Sequence, residues 1–136
     1  MLGIRLTDEV GKLVDGPVAT TQPTATLREA AHSLAADRVG LLVVVDHRGV
    51  LGVISERDVV AAAAEDLDLD EERVRDHASE DLLMVEETTS VYDAAETMAN
   101  AEIRHLAISR HGEVTGVVSV RDLMAVLLEA GREIQG

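Results

Sequence analysis

The chain has 136 residues, which suits one compact domain or two half-domains of about 60 residues that would each be marginal alone. Its 26 acidic against 12 basic residues give a formal net charge of −14, a field that repels phosphate backbones and anionic lipid and excludes nucleic acid and membrane as broad-surface partners. The absence of cysteine excludes disulfides, thiolate-bound zinc and thiol catalysis.

Apolar residues make up 46% of the sequence, mostly Ala, Val and Leu, so a core is available without Phe or Trp. Residues 1–9 carry no cationic start leading into an apolar run, and no apolar stretch approaches the length of a membrane span. The expectation is a soluble, cytoplasmic protein.

From the N-terminus, residues 8–15 form a short amphipathic lead-in with Val10, Leu13 and Val14 on one side, closed by Gly16-Pro17. Residues 18–21 have strand character. Gln22-Pro23-Thr24 turns the chain into a helix that Thr26 caps, with Glu29 as its capping-box partner. Leu27, Ala30, Ala31, Leu34 and Ala35 recur at helical spacing, which predicts one buried face. Residues 41–45 are a run of Leu and Val of strand length, read as a strand covered on both faces. Asp46-His47-Arg48-Gly49 predicts a hairpin turn, 50–54 the returning strand, and Ser55 the cap of a helix over 57–64.

An acidic linker occupies 66–71. Asp66, Asp68 and Asp70 alternate like the opening of a calcium loop, but Glu71 stands where that loop needs Gly and His77 where it needs a bidentate Glu. The segment is therefore read as solvated. A second helical lead-in, 72–78, opens a repetition of the whole order. A strand follows at 82–85, then a helix capped by Ser90 and running to Ala101. A hairpin of 106–109 and 114–118 turns at His111-Gly112, and a last helix runs from 121 to about 129. Residues 131–136 are read as a frayed tail, and Met98 and Met124 as core. The domain reading is thus one module, 1–136, made of repeat 1 (8–65), the linker, repeat 2 (72–130) and the tail.

The repetition is explicit in sequence. Gly52-Val53-Ile54-Ser55-Glu56-Arg57-Asp58 returns as Gly116-Val117-Val118-Ser119-Val120-Arg121-Asp122, an offset of 64 that also aligns Ala30-Ala31 with Ala94-Ala95 and His47 with His111. Each copy sets Ser and Asp three residues apart, with Arg between, at the start of a helix. Backbone N–H groups and the helix dipole there favour an anion, and Arg adds positive charge. Ser55 and Ser119 also serve as helix caps, and Asp58 and Asp122 as favourable charges in a first turn, and capping alone, at about 1 kcal/mol, accounts for them.

The two Gly-h-h-Ser-x-Arg-Asp segments (h, apolar), the Gly16-Pro17-Val18-Ala19-Thr20 start, the Ile103-Arg104-His105-Leu106 run and the tandem strand–helix–strand–strand–helix order resemble a CBS domain pair, or Bateman module, over residues 10–129. The resemblance implies an α+β fold of tandem βαββα repeats packed through their sheets with pseudo-twofold symmetry, leaving two clefts for adenosine-containing ligands. It assigns Val53, Ser55, Arg57 and Asp58 to one cleft, with Thr89, Ile103 and Arg104 from the second repeat. The other takes Val117, Ser119, Arg121, Asp122 and His105, with Val39 and Gly40 from the first repeat. The clefts are not equivalent, since Ala25 stands opposite Thr89 and Gly40 opposite Arg104. Three departures from the family pattern bear on base recognition: Leu42 and Leu106 lack the following proline, Met84 replaces the Thr found at position 20, and Tyr92 is the only aromatic residue.

Three function classes follow. The first is a regulatory, energy-sensing module that binds AMP, ADP, ATP or another adenosyl ligand, with Mg2+ offsetting the repulsion between a polyphosphate and the acidic chain, and signals to an effector protein in trans. The second is a structural or oligomerisation module with empty clefts. The third, an enzyme, lacks a nucleophile elbow, a paired-His metal motif and a dinucleotide fingerprint, so neither catalysis nor a required cofactor is expected. The resemblance also implies a homodimer, for which residues 61–64 and Leu123, Val126 and Leu127 are the candidate surfaces.

Overall fold

A computed structural model describes residues 3–14 and 17–135. The described residues fold as two compact packing units, one of Val18–Asp81 and one of Met1–Pro17 with Leu82–Gly136. Each unit is a three-stranded sheet with two helices, α+β in class and strand–helix–strand–strand–helix in order.

In the Val18–Asp81 unit, β1 (Thr20–Thr21) runs parallel to β2 (Leu41–Asp46), which pairs antiparallel with β3 (Gly49–Ser55). Helix α1 (Leu27–Asp37) begins at Thr26, whose hydroxyl accepts from Glu29 N–H while Glu29 returns a bond to Thr26 N–H, the capping box that the spacing predicts. It ends at Arg38, which takes a left-handed φ of 55°. The second helix, α2 (Glu56–Ala64), follows β3 directly. Leu27, Ala30 and Leu34 of α1 pack with Leu42, Val44, Ile54, Val59, Ala62 and Val74. Ala31 is half-buried and Ala35 exposed, so the buried face of α1 is narrower than its alanines imply.

The other unit repeats this plan. Strand β4 (Leu82–Glu86) is parallel to β5 (His105–Arg110), which is antiparallel to β6 (Glu113–Ser119). Helix α3 (Val91–Ala101) is capped by the Ser90 hydroxyl, which accepts from Asp93 N–H. Helix α4 runs Val120–Gln135, six residues past the end expected at about 129, and Gly131 lies inside it rather than in a frayed tail. One glycine costs a helix only about 1 kcal/mol, too little to stop it. Gly136 lies outside the described residues. The core gathers Val10, Val91, Ala94, Met98, Ile103, Leu106, Ile108, Val118, Leu123 and Val126. Leu123 and Val126 therefore face inward and are not available as a dimer surface, whereas Leu127 is exposed. Met124 is 48% exposed and is not core.

The lead-ins are exchanged between repeats. The segment that opens repeat 1 packs on repeat 2: Val10 N–H donates to Thr89 O, Gly11 N–H to Glu87 O, and Asp8 O accepts from Val91 N–H. The segment that opens repeat 2 does the same to repeat 1, with Val74 N–H on Ala25 O and Glu72 O accepting from Leu27 N–H. Each lead-in is a single 3₁₀ turn, Val10–Leu13 or Val74–Asp76, not the longer helix expected at 72–78. Asp15 and Gly16, at the expected close of the first, lie outside the described residues. The linker is solvated only at its acids, since Leu67 and Leu69 pack against the core. Within it, Arg28 pairs with Asp70.

This packing explains the glycines that open the two Gly-h-h-Ser segments. A Cβ on Gly52 would lie 2.2 Å from Ser79 O, where Ser79 and Val53 exchange two backbone hydrogen bonds; one on Gly116 would lie 2.4 Å from Val14 Cγ1. Both glycines are space requirements of the fold.

Candidate functional site

Strand register sorts the candidate residues by face. Leu106, Ile108 and Val118 point to the helices and belong to the core. By alternation, His105, Ala107, Val117 and Ser119 occupy the opposite face, where His105 pairs with Ser119 and Ala107 with Val117. In the other unit the same alternation puts Val53 and Ser55 on the face away from the helices, paired with Val43 and Leu41.

Ser55 closes β3 in an extended conformation and opens α2. Its hydroxyl accepts from Asp58 N–H at 3.2 Å, and Asp58 Oδ2 accepts from Ser55 N–H at 2.8 Å and from the Ser55 hydroxyl at 3.0 Å. The second copy matches it: Ser119 N–H donates to Asp122 Oδ2 at 2.8 Å and Asp122 N–H to Ser119 Oγ at 3.2 Å. The capping role is thus realised in both copies. It uses one carboxylate oxygen, and Oδ1 of each Asp carries no hydrogen bond among the described residues. Each cluster therefore caps its helix and still presents an acceptor.

Two further groups sit at these helix starts. Glu56 N–H donates to Gly40 O at 3.0 Å, and Val120 N–H to Arg104 O at 2.9 Å, so the turn before each central strand closes on the following helix. Arg57, Arg104 and Arg121 are exposed and form no ion pair among the described residues. His105 is half-buried; that burial pushes its pKa below the ordinary 6.5, Asp122 pulls the other way and Arg104 lowers it further.

In the Val18–Asp81 unit the structure thus holds Val39, Gly40, Val53, Ser55, Arg57 and Asp58, with Val39 packed against the core and Val53 buried. The other unit holds Thr89, Ile103, Arg104, His105, Val117, Ser119, Arg121 and Asp122. Ile103 is a core residue there. Thr89 follows the far end of β4, where Glu87 N–H bonds Ser109 O, and lies at the opposite end of the sheet from His105. Two features were not singled out from the sequence. The Glu56 carboxylate lies over Gly40, 3.0 Å from where a Cβ would be, a placement that its position inside the repeated segment could have flagged. An open recess of about 320 Å³ is lined by Thr21, Gln22, Thr24, Ala25, Glu29 and Ser33, mostly polar residues that form no ligand motif.

A family model for the CBS domain matches twice, at residues 10–65 and 74–129. The chain belongs to the CBS domain family. Among solved structures, a CBS domain protein from Pyrobaculum aerophilum complexed with AMP is 37% identical, with a TM-score of 0.74, over 91% of this chain and 98% of that one. A CBS-domain containing protein from Agrobacterium tumefaciens is 26% identical, with a TM-score of 0.68, over 93% and 97% of the two chains. An uncharacterized 17.7 kDa protein from Acidianus ambivalens is 37% identical over 123 residues, 89% of this chain and 74% of its own length. The two CBS matches each begin in a lead-in, so each sequence repeat of this CBS pair spans parts of both packing units. No helix among the described residues is long and apolar enough to cross a membrane.

Proposed function

We propose that this CBS pair is a cytoplasmic regulatory module that binds an adenosine nucleotide at its Ser-x-Arg-Asp segments and passes the signal in trans to an effector protein. CBS pairs are generally regulatory modules rather than enzymes. The observation that carries the reading is the 37% identity, across 91% of the chain, to a CBS protein complexed with AMP. The free Oδ1 of Asp58 and Asp122 supports it, because a carboxylate accepting from both ribose hydroxyls needs an unused acceptor. AMP, with the fewest phosphates, best suits a chain of net charge −14; ADP or ATP would enter with Mg2+.

The assembly proposed is a homodimer. Its candidate surface is the exposed stripe of α4, Val120, Met124, Leu127 and Leu128. The completed capping boxes favour a second reading, a structural module in which Ser and Asp only cap. Thermal unfolding against AMP, ADP, ATP, S-adenosylmethionine and NAD separates the two. A ligand that binds only the folded state raises the melting temperature. A rise with one adenosyl ligand, lost in Asp58→Ala or Asp122→Ala, supports the sensor; no rise at millimolar ligand supports the structural module.

A further inference from the structure

Resting on the nucleotide reading above, we propose that the site at the start of α4 is proton-linked: His105 takes up a proton when a phosphate-bearing ligand binds beside Ser119 and Asp122, so that the module reads pH together with nucleotide. The geometry carries it. His105 stands on the sheet face away from the helices, in register with Ser119 of β6 and Leu82 of β4, and is half-buried. Among the described charged groups, two act on it, the Asp122 carboxylate from α4 and the Arg104 guanidinium from the turn before its own strand. Its register neighbours on the other elements, Ser119 and Leu82, are uncharged. The histidine thus has one carboxylate acting on it, and that carboxylate is already engaged through Oδ2 in capping α4.

In the free protein the neutral ring prevails at neutral pH, because burial and Arg104 together outweigh Asp122. A phosphate beside Ser119 and Arg121 brings a second negative charge to the same place, which favours the imidazolium. Linkage then requires the affinity to rise as pH falls, by at most about tenfold per pH unit for one proton. A nucleoside without phosphate brings no such charge and gains nothing from the proton.

The test uses the full chain, with AMP and adenosine as probes, in titration calorimetry at pH 7 in two buffers of different ionisation heat. The heat difference counts protons taken up. The phosphate's own second ionisation, at about pH 6, contributes equally to every protein, so wild type is compared with His105→Gln and His105→Asn. NMR of the wild-type ring gives a readout that no substitution can disturb. The proposal predicts proton uptake with AMP that exceeds both variants, none with adenosine, and an upward move of the His105 titration when AMP is added. AMP binding with equal uptake in wild type and variants, or an unmoved His105 titration, overturns the proton link and leaves the nucleotide reading standing. No binding of AMP at all overturns both.

Discussion

Asp58 accepts both hydrogen bonds that Ser55 offers on a single oxygen, Oδ2, from the backbone N–H at 2.8 Å and from the hydroxyl at 3.0 Å. One residue pair thereby caps α2 and leaves the second carboxylate oxygen unused, available to the proposed ligand, so stability and binding are predicted to respond to different substitutions. Asp58→Ala removes the reciprocal bond and costs about 1 kcal/mol in denaturant unfolding. Asp58→Asn keeps an acceptor for Ser55 and stays within about 0.5 kcal/mol of wild type, yet weakens AMP by about tenfold as a charged hydrogen bond becomes a neutral one. Equal losses of stability in the two variants would contradict this division.

The glycines at 52 and 116 occupy equivalent places in the repeat but face different obstacles. A Cβ at 52 meets the Ser79 carbonyl oxygen, fixed backbone; at 116 it meets the Val14 side chain, which can move. Gly52→Ala is predicted to cost about 3 kcal/mol and Gly116→Ala about 1–2 kcal/mol, within the usual span of overpacking. Val14→Ala should restore part of the loss at 116 and none at 52. A double-mutant cycle reads this directly, and equal coupling at both glycines would refute it.

The depressed pKa of His105 has a signed consequence for the free protein. Its folded value lies below 6.5, so as pH falls the unfolded chain binds the proton first. Stability is fully present above pH 6.5 and is lost as pH falls from there toward the folded pKa. Asp46, held low by the Arg48 side chain and backbone, contributes stability that is present above its ordinary 3.8 and is lost only as pH falls below it, outside this window. Urea unfolding at pH 8, 6.5 and 5.5 should show a pH-dependent loss that His105→Gln reduces. An identical slope in the variant would contradict it.

Much of this architecture was legible in sequence because its signals are local. The capping pair Thr26–Glu29, the Ser55 and Ser90 caps, both hairpins and the repeat offset all arise within a few residues or by direct repetition; that Asp58 returns a bond to Ser55 was not read. What was not legible depends on contacts distant in sequence or on helical phase. Nothing near Val10 announces that it belongs with Val91 and Val118 rather than with repeat 1. Helix α4 has apolar residues on two faces, so periodicity did not decide that Leu123 and Val126 turn inward while Met124 and Leu128 turn outward. Among the site residues, the Ser-x-Arg-Asp segments stood out because capping chemistry and anion chemistry use the same residue types. Glu56 over Gly40 did not, since its placement follows from the turn closing on α2.

The central claim is that the Ser-x-Arg-Asp segments of this CBS pair hold an adenosine nucleotide, and equilibrium dialysis of radiolabelled AMP against wild type, Asp58→Asn and Asp122→Asn tests it most directly. The account predicts saturable binding to wild type, weakened about tenfold at the substituted site in at least one variant. Absence of saturable binding at millimolar AMP, or binding that neither substitution weakens, would contradict it.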